Sequence, residues 1–164
     1  MAKTAQTANF TDILDAAPSP DDRPKSLPVG SYLCLVKGQP RHDKSSKRFT
    51  PFVEFTLIPK QAGQDVDQDD LTAWATKADG TMKRLEDTVI PATFYTTDNA
   101  IFMLNDFLEH CGIEADGRTR REMLDDTPNC EVVAYIRHEA RQDGTGVQAR
   151  LGKTAPADSF NAAE

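Results

Sequence analysis

Leu27-Pro-Val-Gly-Ser-Tyr-Leu-Cys-Leu-Val-Lys-Gly38 and Phe49-Thr-Pro-Phe-Val-Glu-Phe-Thr-Leu-Ile-Pro59 are two apolar runs, rich in β-branched and aromatic residues. They flank a polar, basic segment, Gln39–Arg48. This grammar predicts two antiparallel strands, about Ser31–Lys37 and Thr50–Ile58, joined by a longish loop. Pro28 and Gly30 punctuate the start. Pro59 is expected to end the second strand, because it has no N–H to give to a ladder. The loop carries Arg41, His42, Lys44, Lys47 and Arg48, followed at once by Phe49 and Phe52. Cations beside aromatics on the lip of a small sheet are what a single-stranded nucleic-acid site needs: charge for phosphates, rings for bases.

Further along, Asp67–Gly80 places Leu71, Trp74, Ala75 and Ala78 at helical spacing, with carboxylates at the start and Gly80 past the end. We read it as an acidic helical insertion, within 61–87, between the second and third strands. Thr88–Tyr95 is the third strand, and Pro91 confines it to an edge or a bulge. Asn99–Cys111 is the main helix: Ile101, Leu104, Leu108 and Cys111 form one apolar stripe, widened by Phe107, and Gly112 stops it. Thr119 and Glu122 have the spacing of a capping box before a short helix through Leu124. Cys130–His138 alternates, with Val132, Ala134 and Ile136 opposing Val133, Tyr135 and Arg137. A turn at Asp143–Gly146 leads to a last strand, Val147–Lys153. The fold class is therefore mainly β with helices. The element order is that of a five-stranded OB-fold-like barrel, with its helix between strands three and four and the acidic insertion between strands two and three.

This domain spans 27–153. Residues 1–26 form an N-terminal segment whose first nine residues are expected to be mobile. Within it Phe10–Ala17 has the spacing of a short helix that would dock on its own domain, on a second copy, or on a phage or host replication protein. Residues 154–164 read as a mobile tail. The chain has 164 residues, a net charge of −7 and a mean hydropathy of −0.54. No run approaches the roughly 18 apolar residues of a membrane helix, and no secretory pattern opens the chain. The expectation is a cytoplasmic protein with no membrane partner. Three scattered cysteines, Cys34, Cys111 and Cys130, suit reduced thiols and form no metal-ligand cluster.

The charge is unevenly spread. Residues 31–60 carry six Lys/Arg against two Asp/Glu, whereas residues 61–80 carry one against five. A positive stripe on an acidic body can hold a polyanion while the remainder repels it. The candidate nucleic-acid contacts are Lys37, Arg41, Lys44, Lys47 and Arg48, with Arg137 and Arg150 from the last hairpin. Phe49 and Tyr135 are the candidate stacking rings. Tyr32, Phe52 and Phe94 also lie on strands, but read first as core, and Phe55 shares a face with Val53 and Leu57. His138 reads as a solvated or phosphate-facing side chain. Asp65-Val-Asp-Gln-Asp-Asp70 resembles a calcium loop only superficially. Asp70 and Thr76 stand where an EF-hand needs Gly and Glu. No nucleophile elbow, P-loop, dinucleotide fingerprint or zinc signature is present. Neither a cofactor, a metal nor an enzymatic activity is expected.

Leu27-Pro-Val-Gly-Ser-Tyr32, Thr93-Phe-Tyr-Thr-Thr-Asp-Asn-Ala100 running into Ile101–Ile113, and Cys130-Glu-Val-Val-Ala-Tyr-Ile-Arg-His-Glu139 together resemble a broad group of small phage- and prophage-encoded proteins. Members lie in replication and recombination cassettes and are regarded as OB-fold single-stranded DNA-binding proteins or their relatives. The resemblance covers about Leu27–Lys153 and implies a non-enzymatic binder of single-stranded DNA. The alternative it leaves open is a phage protein-interaction or virion-associated scaffold built on the same barrel. Residues 155–164 lack the strongly acidic tail with an apolar tip that bacterial single-stranded DNA-binding proteins carry.

Overall fold

The computed structural model describes Asp15, Ala17 and residues 25–77, 80–144 and 146–162. The proposed helix over Phe10–Ala17 and the first nine residues therefore lie outside the described residues, save for those two positions. The strands and α-helices from residue 25 onward are, among the described residues, β1 Gly30–Val36, β2 Arg41–Lys44, β3 Pro51–Ala62, α1 Gln68–Ala75, β4 Ile90–Tyr95, α2 Ile101–His110, α3 Arg120–Leu124, β5 Glu131–Ala140 and β6 Val147–Pro156. All pairings are antiparallel, in one open sheet ordered β2-β3-β1-β5-β6, with β4 also paired to β3. The main helix lies between β4 and β5, as its apolar stripe predicts. Among the described residues no helix is long and apolar enough to cross a membrane.

β3 organises the sheet. Its first half pairs with β2 and, on its other edge, with β4; its second half pairs with β1. Pro59 does not end the strand. It is fully buried inside β3, opposite Cys34, where the register slips between Leu33 and Cys34. The bulge leaves one residue of β3 without an opposite number, so the ladder tolerates a proline there. Pro91 does sit on an edge strand, opposite Thr56.

Two differences follow from burial. β2 lies inside the segment read as loop, and all four of its residues are exposed; a strand with neither face buried carries no alternation to read. At the other end, β6 continues past Lys153 to Pro156, a turn of 3-10 helix spans Ala157–Ser159, and Ala162 bridges to Gly63. Residues 154–162 thus lie along the sheet. Val133 is buried beneath this segment, although it points away from Val132, Ala134 and Ile136.

The core lies between the curved sheet and α2. Phe107 stacks obliquely on Phe55 at 4.5 Å and on Phe94 at 4.9 Å between ring centroids. Tyr32 is fully buried, its hydroxyl donating to the Pro28 carbonyl at 2.7 Å. The capping box of α3 forms as its sequence predicts: Glu122 N–H donates to Thr119 Oγ1 at 3.2 Å, and Thr119 N–H to Glu122 Oε1 at 3.1 Å. Asp65 stitches the insertion to β1, accepting from Ser31 N–H at 2.9 Å and Oγ–H at 2.6 Å. Burial works against that charge, but the two hydrogen bonds hold Asp65 below the usual carboxylate range. Gly63 is packed so closely here that a Cβ would come 2.2 Å from Ser31 Oγ.

Candidate nucleic-acid interface

β2 and β3 form a hairpin whose tip is fixed by its own backbone. Ser45 N–H donates to the Thr50 carbonyl at 2.8 Å, Thr50 N–H to Ser45 Oγ at 3.0 Å, and Phe49 N–H to the Ser45 carbonyl at 2.9 Å. Four residues are left at the tip: Ser46, Lys47, Arg48 and Phe49. Closing the turn puts Phe49 in the left-handed region, with φ of 54°. A bulky L-residue loses roughly 1–2 kcal/mol in that region. Its ring is also 71% exposed. Lys44, Lys47 and Arg48 lie in the same hairpin end, all exposed, and none has a carboxylate partner among the described residues. The tip is therefore an unneutralised cationic knob with an aromatic ring at its end.

Arg41 is placed differently. Its guanidinium donates to Asp43 and, at 3.0 Å, to Glu54, and it lies 5.2 Å over the Phe52 ring. The hydrogen bond from Thr93 and, against the cost of burial, the pairing with Arg41 hold Glu54 below the ordinary carboxylate range. Two carboxylates thus neutralise Arg41, which makes it a brace of the β2–β3–β4 face, not an open phosphate contact. Lys37 is exposed at the junction of β1 and β2, away from the tip.

On the last hairpin Arg137 and Arg150 stand opposite one another in register and share Glu139, at 2.8 Å and 3.6 Å. They remain more than half exposed, but with one carboxylate between them. Tyr135 is half-buried beside Phe160, and the Lys153 ammonium sits 4.7 Å above its ring; the structure does not bring it to the tip. His138 is exposed, as a solvated side chain should be, and it also makes a link that its sequence does not announce: Nε2 is 2.8 Å from the Leu27 carbonyl and fastens the start of the domain to β5.

A groove of about 900 Å³ lies between β4 and β6. These two strands run in the same direction with no ladder between them. Thr93 and Tyr95 line one wall, Arg150 and Lys153 the other, and Met103 and His110 of α2 the floor, where His110 Nδ1 meets Thr154 Oγ1 at 2.8 Å. Tyr95 is 42% exposed and packs edge-on against Phe52, at 6.0 Å between centroids. The Tyr95–Phe52–Arg41 row thus carries the outer face of the sheet from the groove toward the tip.

Tyr95, Lys83 and Lys153 are groove residues that sequence reasoning missed. For Tyr95 the signal was present: Ile90, Ala92 and Phe94 share the inner face of β4, so Tyr95 must point outward with Pro91 and Thr93. For Lys83 and Lys153 it was not, since the spacing of a lysine along the chain does not tell which groove the fold turns it toward.

Among the described residues no group of three His, Cys, Asp or Glu could hold a metal ion. Burial pushes the Cys34 and Cys111 thiols up to about 12, and no disulfide forms. No family model matches the chain, and no curated protein is similar to it in sequence.

Proposed function

We propose that this is a non-enzymatic single-stranded DNA-binding protein, of the kind that supports phage replication or recombination, and that its open sheet is a partly closed OB-fold barrel. The fold reading rests on the pairing β4-β3-β1-β5-β6 with α2 beneath the β4–β6 seam. An OB-fold is a five-stranded, partly open barrel that uses the face of its second and third strands and two flanking loops. Here those strands are β3 and β4, and the loops are the β2–β3 tip and the β5–β6 turn.

The observation that carries the function is the tip itself. An exposed Phe49 in a costly backbone conformation, on a hairpin tip with Lys44, Lys47 and Arg48, none of them paired to a carboxylate among the described residues, suits a strand whose base stacks on the ring and whose phosphates meet the cations. The acidic remainder of the chain favours one docking face over a general coating. The alternative, a phage protein-interaction or virion-associated scaffold, draws on the exposed Phe102 and Met103 of α2.

Fluorescence anisotropy with labelled single- and double-stranded oligonucleotides separates the two. The expected result is single-strand binding that is strongly weakened by salt and nearly indifferent to sequence. Absence of single-strand binding at low salt would leave the scaffold reading.

A further inference from the structure

The insertion reads as acidic, yet its folded form separates its charges. Asp67 caps α1, and Asp69 and Asp70 lie in the first turn. At the other end, about 10 Å along the axis at 1.5 Å per residue, three lysines gather. Lys25 Nζ donates to the Ala73 carbonyl at 3.1 Å. Lys83 N–H donates to the Ala75 carbonyl at 2.8 Å, and its ammonium lies 4.4 Å over the ring of Trp74. Thr76 bridges to Met82, and Lys77 N–H donates to the Thr81 carbonyl at 2.8 Å, which brings Lys77 back alongside Lys83. Lys25, Trp74 and Lys83 line the end of the β4–β6 groove. None of the three lysines pairs with a carboxylate among the described residues.

We propose that Lys25, Lys77 and Lys83, gathered beside Trp74 at the insertion end of the groove, form a phosphate-holding subsite that takes the insertion into the footprint of a bound single strand. The inference rests on the proposed single-strand function for its ligand. Three ammonium groups held together repel one another, and a chain of phosphates between them removes that repulsion. Half-burial, with Lys77 and then Lys25 nearby, holds the Lys83 ammonium below the usual lysine range, as an unneutralised cluster requires. Trp74 itself is only 4% exposed, so it is no base platform. It is, however, the chain's one tryptophan, and its ring touches the lysine in question.

The test titrates the full chain with oligo-dT, following anisotropy and tryptophan emission together, and compares a Lys77→Ala/Lys83→Met variant. Methionine keeps an apolar stem over the indole, and Lys25 keeps its hydrogen bond to the Ala73 carbonyl of α1. In the wild type, emission should change in step with anisotropy. In the variant the emission change should vanish, and the slope of log K against log salt should flatten by about 1.4, at about 0.7 for each phosphate no longer neutralised. Wild-type binding with a silent tryptophan, and a variant of unchanged slope, would overturn the subsite while leaving the single-strand function intact. If the wild type binds no oligonucleotide, the function falls, and inorganic tripolyphosphate decides the subsite. An emission change that is abolished in the variant sustains a free-phosphate site; no response overturns it as well.

Discussion

Arg41 donates to Glu54 at 3.0 Å across the β2–β3 ladder, while its guanidinium covers Phe52. A cation already neutralised releases few counterions from DNA. Arg41→Ala is therefore expected to leave the salt dependence of single-strand binding close to that of the wild type. A fall in slope of about 0.7, the share of one phosphate, would show that Arg41 leaves Glu54 for the nucleic acid.

Lys44, Lys47 and Arg48 have no such partner among the described residues. Replacing all three with alanine should flatten the slope of log K against log salt by roughly two units, if each meets one phosphate. An unchanged slope in this triple variant would move the binding site away from the tip.

Phe49 links stability and binding in opposite senses. Phe49→Gly removes the Cβ that disfavours a φ of 54°, and should stabilise the fold by about 1 kcal/mol. The same change removes a stacking ring and should weaken single-strand binding by about 1–3 kcal/mol at every salt, with little change in slope. Thermal unfolding and anisotropy on the one variant check both halves.

In the core, Phe107→Ala should cost about 3–5 kcal/mol, because the ring is fully buried between Phe55 and Phe94. Urea unfolding measures it. A cost under about 1 kcal/mol would mean that α2 does not seal the sheet.

Stability should also fall on the alkaline side. Burial raises the thiols of Cys34 and Cys111 from 9.0 to about 12 and raises the Tyr32 hydroxyl in the same direction. Each raised group contributes fully below its unfolded value. That contribution is lost as the pH climbs from about 9 toward 12, because the unfolded chain ionises first. Glu54 and Asp65 act in the opposite sense: their lowered values favour the fold above the ordinary carboxylate range and lose effect as the pH falls through it. Denaturant midpoints measured across pH check both arms, and Cys111→Ala should shallow the alkaline one.

Elements patterned by burial were legible in the sequence, and those that tertiary pairing creates were not. The stripe Leu104, Phe107, Leu108 and Cys111 announced α2, and Thr119 with Glu122 announced α3, because both signals are local. β2 was silent because nothing covers either of its faces. Pro59 misled because the bulge that accommodates it is set by the partner strand. At the site, Lys47, Arg48 and Phe49 could be read as neighbours in sequence. The neutralisation of Arg41 could not, since Glu54 reaches it only through the hairpin register. Lys77 and Lys83 were hidden in an insertion whose summed charge is negative, since a sum does not tell which end of a helix each charge occupies, and Lys25 joins them only through the fold.

The missing ladder between β4 and β6 has a mechanical meaning. Among the named strands, β1 is the one that joins the half of the sheet made of β2, β3 and β4 to the half made of β5 and β6. Along the seam itself the described residues hold the two halves by side-chain packing and links such as His110 to Thr154, while the Gly63–Ala162 bridge, with Gln64 N–H donating to the Asn161 carbonyl at 2.9 Å, clips the end of β3 to the segment after β6. The molecule is thus built like a clasp: β1 is its spine, the Gly63–Ala162 bridge is its catch, and the β4–β6 seam is the one side where no ladder closes the jaws.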